Sequence, residues 1–161
     1  MGNIVTNQAK GRVNEYVSRV VNNDPANSAL IVVLLKTTET DASLLDYDTL
    51  SALLTASGGT VNVEANFTNY ARKTLTNADL VAPTVDDTGN EQWSDIPNPV
   101  YTAAGGATNN SLVKMLICYD ADTTAGTDAN IIVLTAHDVT ATTDGNDLTF
   151  NIPATGFYGA T

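Results

Sequence analysis

The clearest feature of the hydropathy pattern is a pair of continuous apolar runs. One extends from Ser28 to Lys36 and the other from Ser111 to Asp120, and both have the length of a strand. Bulky or β-branched side chains fill both runs, and turn-forming residues flank the second run on each side. A continuous apolar run of this length is typical of a strand that is buried on both faces. We therefore predict that the two runs form central strands of a sheet.

A different periodicity near the N-terminus predicts an amphipathic helix. Apolar side chains recur at i, i+3, i+4, i+7 and i+8, with polar residues between them: Val13, Tyr16, Val17, Val20 and Val21. This spacing forms one stripe on a helix of about three turns, which the polar residues and proline at 22–25 end. The stripe has two interpretations, which are packing on the chain's own sheet and contact with another copy of the chain.

A second, shorter helix is predicted from apolar residues at helical spacing: Tyr47, Leu50, Leu53 and Leu54. Asp46 or Asp48 is well placed to cap its N-terminus, and the glycines at 58–59 end it. Residues 1–9 are polar and show no periodicity. We therefore predict an N-terminal arm over residues 1–9 and a single β-rich domain over residues 10–161, with both short helices near its N-terminus.

The chain beyond residue 59 predicts β-structure. Residues 131–134 form a short apolar strand, and the turn residues at 144–146 predict a hairpin between 139–141 and 148–152. Segment 81–99 contains three prolines and the only tryptophan, Trp93, and predicts an extended loop or edge strand. The fold class is therefore mainly β (α+β). We expect a β-sandwich or jelly-roll-like domain with an N-terminal amphipathic helix and one further short helix.

Composition and charge limit the classes of partner. The chain has 161 residues, is 43% apolar and carries a formal net charge of −11. The charge is uneven, at +2 for residues 1–36 and −13 for the remainder. An acidic body repels phosphate backbones, so nucleic acid is not predicted as the principal partner. No membrane contact is predicted, because no segment approaches the ~20 apolar residues of a membrane-spanning helix.

Few side chains suggest chemistry. The single cysteine, Cys118, cannot form an internal disulfide, and its apolar surroundings predict a small buried side chain. Asp120, Asp122 and Asp128 invite a calcium interpretation, but an EF-hand loop needs glycine and glutamate at positions that here hold alanine and isoleucine. We interpret the cluster as a solvated acidic turn.

The only histidine, His137, is also not predicted to be catalytic. On a strand it and its neighbour Asp138 point to opposite faces, which does not suit an acid–base pair. Catalysis by a pair of carboxylates is the one enzymatic alternative that the composition leaves open. We predict no catalytic residues, no metal site and no cofactor.

Several blocks along the chain form a recognisable order: KGRVNEY at 10–16, NDPANSALI at 23–31, NYARK at 69–73 with LT at 75–76, LICYD at 116–120, TDANI at 127–131 and LTAHD at 134–138. Together they resemble a family of small structural proteins encoded in the virion gene blocks of tailed bacteriophages and prophages. They span nearly the whole chain. The resemblance implies a virion component with a β-sandwich or jelly-roll-like core, and it implies no catalytic residues.

The expected function is that of a non-enzymatic virion protein, foremost a capsid decoration or cement protein on the capsid surface. Its expected partners are the major capsid protein, other virion proteins and its own copies, in a homo-oligomer such as a trimer. The alternative is a tail, neck or fibre-associated component involved in attachment. Candidate interface residues are those of the helical stripe, the aromatic residue of segment 81–99 and two near the C-terminus: Val13, Tyr16, Val17, Val20, Trp93, Phe157 and Tyr158.

Overall fold

The computed structural model describes residues 3–160 of the chain. Its helices are α1 (Val13–Val21), α2 (Asp41–Leu44) and α3 (Leu50–Thr55), and a 3-10 turn follows at Ala56–Gly58. Its strands are β1 (Ile4–Val5), β2 (Ala29–Thr37), β3 (Val63–Glu64), β4 (Lys73–Leu75), β5 (Thr84–Asp86), β6 (Glu91–Ser94), β7 (Val100–Tyr101), β8 (Ser111–Asp120), β9 (Ile132–Thr142), β10 (Leu148–Thr149) and β11 (Tyr158–Ala160).

The two apolar runs form the centre of the main sheet, as predicted. This six-stranded sheet has the order β1–β9–β8–β2–β3, and β4 also pairs with β2, next to β3. Strands β2 and β8 pair antiparallel over seven registered residues, for example Leu30 with Tyr119 and Leu34 with Met115. Strand β9 continues the antiparallel arrangement on the other side of β8.

Both faces of strand β2 are buried, and each faces a different core. Leu30, Val32 and Leu34 belong to the core that includes helix α1. The alternating residues Ile31, Val33 and Leu35 belong to the core under helices α2 and α3. Because side chains alternate along a strand, covering both faces requires the continuous apolar run that the sequence shows.

The apolar stripe of helix α1 packs on the chain's own sheet. Val13, Val17 and Val20 have no exposed surface and Tyr16 is 4% exposed. The Tyr16 ring lies 4.7 Å from the ring of Tyr119 on β8. The interpretation of the stripe as a contact with another copy of the chain is therefore corrected. The chain's own core buries these four side chains, so they present no surface to a partner.

Two short helices, rather than one, follow strand β2. The hydroxyl of Thr40 accepts a hydrogen bond from the Ser43 amide at the start of α2, and Thr49 accepts one from Ala52 at the start of α3. Threonine is a good N-cap, so neither Asp46 nor Asp48 caps α3. Tyr47 lies between the helices rather than inside one.

The predicted N-terminal arm is part of the domain over its described residues. Strand β1 pairs antiparallel with β9, with Ile4 opposite Ala136. Thr6 is completely buried, and its hydroxyl donates to the Val133 carbonyl at 2.6 Å. Strand β1 has only two residues, Ile4 and Val5, which pack against the two cores, and a strand this short shows no periodicity. Residues 1–2 lie outside the described residues.

The mainly β class with few helices is confirmed, whereas the jelly-roll arrangement is not. Two smaller sheets, β7–β10 and β5–β6–β11, accompany the main sheet. Tyr101 of β7 and Phe157 beside β11 belong to the same core as helix α1. The predicted hairpin at 144–146 is wrong, because β9 runs on to Thr142 and β10 pairs with β7.

Candidate functional site

The small sheet β5–β6–β11 brings together three of the residues predicted as interface candidates. Trp93 lies on the central strand β6, opposite Thr84 of β5 and Gly159 of β11. Tyr158 lies opposite Ser94, and Phe157 immediately precedes β11. Gly156 permits this approach, because its φ is +75° and a Cβ there would clash with the Ser94 carbonyl. Residues more than 60 positions apart in sequence thus share one surface element.

Trp93 faces away from helix α1. The side chains of its neighbours Gln92 and Ser94 both hydrogen-bond the side chain of Asn14 on that helix, at 3.0 and 2.6 Å. Successive side chains of a strand point to opposite faces, so the indole lies on the outer face. Its direct neighbours there, Thr84 and Gly159, are small and exposed. The half-buried indole is therefore accessible from solvent over at least part of its face.

Phe157 and Tyr158 have different environments. Phe157 is only 8% exposed and packs in the core with helix α1, 6.2 Å from the ring of His137. It closes the domain and is not accessible as an interface anchor, which corrects that part of the prediction. Tyr158 is half-buried and packs against the same core. Trp93, by contrast, is the candidate that remains open to a partner.

The most exposed large apolar side chains lie on or next to the same sheet. Val85 of β5 is 63% exposed, and Val81, three residues before the strand, is 67% exposed. Val100 in β7 is 42% exposed and belongs to the other small sheet. Segment 76–99 also carries five acidic residues and no lysine or arginine. Val85 is paired with Gln92, so its side chain lies on the opposite face of the sheet from Trp93. The small sheet therefore presents Trp93 on one face and Val85 on the other, in a segment whose charged residues are all acidic.

A lysine, completely buried, lies in the main sheet. Lys114 on β8 is 0% exposed, and its ammonium contacts Asp41 Oδ1 at 2.7 Å and Asp138 Oδ1 at 2.5 Å. Asp138 is its direct cross-strand partner on β9, and Asp41 begins helix α2. A buried ammonium is tolerated only with such partners. The sequence patterns did not predict this cluster. A lysine inside a run predicted to be buried nevertheless indicates that carboxylates must lie near it.

A second ion-pair cluster joins three segments at the β3–β4 side of the sheet. Arg72 binds Glu64 through two hydrogen bonds of 2.8 and 2.7 Å. It binds Asp128 through two more, of 2.6 and 2.9 Å. These bonds raise the pKa of Arg72, and the bond from Arg72 lowers the pKa of Asp128. Arg72 thus ties the loop before β9 to strand β3 with bidentate geometry.

We expect Arg72→Met to lower the free energy of unfolding by about 1–3 kcal/mol, less than the 3–5 typical of a fully buried pair, because Arg72 is 26% exposed. Urea unfolding measures the difference. Arg12→Met is the matched control, since Arg12 forms an exposed pair with Glu15 and exposed pairs contribute little to stability. Equal destabilisation by both substitutions would contradict a structural role for the Arg72 cluster.

The acidic turn at 120–128 does not assemble an ion site. The Asp120 carboxylate accepts the Asp122 amide, Asp122 accepts from Thr124, and Asp128 is held by Arg72. Among residues 3–160, no group of three or more His, Cys, Asp or Glu side chains is arranged to hold a metal ion. The three aspartates are therefore engaged separately. Asp120 is only 5% exposed, so the prediction of a solvated turn is wrong for this residue.

His137 and Cys118 are both held in their neutral forms. Burial, then the charge of Lys114, lower the pKa of His137 to about 4, and His137 Nε2 lies 2.8 Å from the Thr135 hydroxyl. Burial raises the pKa of the Cys118 thiol, which is completely enclosed. The prediction of a small buried cysteine is confirmed. The histidine lies half-buried at its strand position.

Comparisons with known proteins add no relative to this picture. A scan against protein-family models, a search of curated proteins and a search of solved structures each found no match to this chain. Within the described residues, no helix is long and apolar enough to cross a membrane. The function is therefore argued from the residues and the geometry.

Proposed function

We propose that this chain is a non-enzymatic structural protein of a tailed-bacteriophage virion that acts as a capsid decoration or cement protein. One structural observation carries the proposal. The two most exposed large apolar side chains, Val81 and Val85, lie on or beside one small sheet, which presents Trp93 on the face opposite to Val85. Exposed apolar groups with a polar surround are typical of protein interaction sites. The sequence resemblance supplies the virion context.

The architecture suits a mechanical role. Two cores enclose both faces of strand β2 and so make the main sheet a rigid support. The small sheet is anchored to this support through Asn14 on one side and Phe157 on the other. A rigid protein that contacts adjacent capsid subunits adds binding energy that the particle must lose before it opens. No chemical step is needed for this activity.

The proposed partners are the major capsid protein and further copies of the chain, and the proposed location is the capsid surface. The body outside residues 1–36 carries a charge of −13, which favours a partner with a basic surface. A partner surface of about 800 Å² would be a standard stable interface. The small sheet is too small to supply an interface of this area, so we expect further contacts outside it, including contacts between copies of the chain.

A tail, neck or fibre-associated position is the second candidate. The accessible indole of Trp93 favours it, because tryptophan is enriched at recognition sites. The two positions differ in copy number per particle. Decoration requires the chain in amounts comparable with the major capsid protein, whereas a neck or fibre position requires roughly a dozen copies.

The first test is the mass ratio of this chain to the major capsid protein in purified virions. We expect a ratio between one to one and one to a few. Particles that lack the chain should then open at lower temperature than wild-type particles. Absence from the virion would contradict both positions, and unchanged heat resistance of particles without the chain would contradict the cement role.

A substitution links this role to the exposed valines. We expect Val81→Ser with Val85→Ser to reduce incorporation into particles at least tenfold while the isolated protein unfolds as before, because both side chains are exposed. Val100→Ser is the matched control, since this valine is exposed but belongs to the other small sheet. Equal incorporation of the two variants would move the interface away from β5.

A further inference from the structure

We propose that the edge of strand β5 binds an extended basic segment of a partner protein, which adds a strand to the sheet β5–β6–β11. This inference deepens the proposed function, because it states the chemistry of the segment that the site would take. Strand addition uses main-chain hydrogen bonds for affinity and alternating side chains for specificity. Such a segment would match three features of the site together: the free edge with its exposed valine, the negative charge and the indole.

The first feature is the free edge of β5. Within the described residues, β5 pairs with β6 and with no other strand. A free edge presents unpaired amide and carbonyl groups, and soluble proteins commonly protect it with lysine, proline or a bulge. Here the strand has only three residues, Pro83 precedes it and Asp86 ends it, and these features limit unspecific pairing. Val85 is β-branched and 63% exposed, so this edge favours a partner strand whose charge also complements Asp86.

The second feature is charge. The segment around β5 carries Asp79, Asp86, Asp87, Glu91 and Asp95 without a basic residue. No cation within this segment therefore compensates its negative potential. An arginine or lysine of the bound partner segment would compensate it. Charge complementarity of this kind steers association and excludes acidic partners. It selects a basic strand over a second copy of β5, which would bring the same negative charges.

The third feature is the position of Trp93. The added strand would lie two strand spacings, about 10 Å, from β6. An arginine on its outer face can cross this distance over the small side chain of Thr84, which lies opposite Trp93. A guanidinium over an indole face gains cation–π attraction. The outer face thus offers the Trp93 indole for cation–π contact with a basic side chain, in addition to the negative potential of the segment.

A shallow cavity next to the strand extends the surface. It has a volume of about 220 Å³ and is lined by Asp79, Val81, Asp95, Ile96 and Pro97. Two carboxylates and an exposed valine make its wall both acidic and apolar. A second basic residue of the bound segment, or its aliphatic stem, fits this lining. The occupant is therefore a strand with alternating basic and apolar side chains.

The test uses the complete chain and an eight-residue peptide of alternating arginine and valine with blocked ends. Trp93 is the only tryptophan, so its fluorescence reports binding beside β5 directly. We expect saturable quenching or a spectral shift, with an affinity that falls at least tenfold when salt is raised from 50 to about 500 mM. The same peptide with glutamate in place of arginine should bind at least tenfold more weakly.

Two controls separate strand addition from attraction between charges. A peptide of the same sequence, N-methylated at alternate residues, keeps every side chain but cannot pair, and should lose at least tenfold in affinity. In the protein, Asp87→Asn with Glu91→Gln should weaken binding at least fivefold. Asp46→Asn with Asp48→Asn removes the same number of charges from exposed residues of another surface and should change affinity less than twofold.

Three results would overturn the inference. They are equal binding of the arginine and glutamate peptides, equal binding of the N-methylated peptide, and dimerisation of the peptide-free protein that Val85→Ser abolishes. The last result would assign the edge to a second copy. The proposed function fails independently, because absence from virions together with tight peptide binding would refute only the virion role. Presence in virions without peptide binding would refute only this inference.

Discussion

Lys114→Met is expected to lower the free energy of unfolding by about 3–5 kcal/mol, the usual cost of removing one partner from a buried ion pair. Lys114 has no exposed surface, and its ammonium lies between the carboxylates of Asp41 and Asp138. Methionine has a similar length and fills the space, so the expected loss arises from electrostatics. Two partly buried carboxylates would be left near each other without the cation between them.

Urea unfolding of the variant measures this loss. Lys10→Met is the matched control, because Lys10 is exposed and its ammonium hydrogen-bonds the side chain of Asn7. It should change the free energy of unfolding by less than about 0.5 kcal/mol. A loss below about 1 kcal/mol in Lys114→Met would show that the ion pairs contribute little.

A triple variant separates electrostatics from packing. Lys114→Met combined with Asp41→Asn and Asp138→Asn removes the cation and both charges. If repulsion and unpaired charge cause the loss, this variant should recover at least half of it. If it is no more stable than Lys114→Met alone, the cause is poor packing of methionine in the β8 position.

The second large expected effect is a pH dependence caused by His137. Its pKa is about 4 in the folded chain and 6.5 in the unfolded chain, because burial and the charge of Lys114 disfavour the protonated ring. Between these values the unfolded state binds the proton and the folded state does not, so stability falls as pH falls. The contribution is complete above pH 6.5 and is lost by about pH 4. Its upper limit is about 3 kcal/mol, since one pKa unit corresponds to 1.36 kcal/mol.

His137→Gln tests this assignment. Glutamine keeps a polar group near the Thr135 hydroxyl but does not titrate, so unfolding free energies measured from pH 7 to 4 should have a clearly smaller slope. Asp128 contributes lower in the pH range. Its pKa is lowered from 3.8, so its stabilisation is lost only as pH falls below about that value. An unchanged slope in His137→Gln would contradict the neutral, buried state of the ring.

These two effects involve residues that the sequence shows but does not connect. Lys114 is separated from Asp41 by 73 positions and from Asp138 by 24. Arg72 is separated from Asp128 by 56. Hydropathy periodicity reports the local environment of a segment and contains no distance between segments. A lysine within a buried run indicates that an acidic partner exists, whereas the fold identifies which of 18 acidic residues it is.

Elements whose signals are local can be predicted from the sequence alone. The continuous runs predict β2 and β8 because a strand covered on both faces must be apolar throughout, and the 3.6-residue stripe predicts α1. The mostly β class and the burial of Cys118 follow from the same patterns. The turn residues at 22–25 correctly end α1, since they are poor helix formers.

Features that depend on pairing between distant segments emerge only in the folded chain. Ile4 and Val5 form edge strand β1 through backbone bonds to β9, and two apolar residues within a polar segment do not predict this pairing. Strand β10 pairs with β7, although the predicted hairpin would pair it with β9. Strand β11 pairs with β6, which places Gly159 beside Trp93. The candidate interaction site belongs to this second class. Its residues are exposed or half-buried, so apolar periodicity does not mark them, and long-range backbone pairing assembles them.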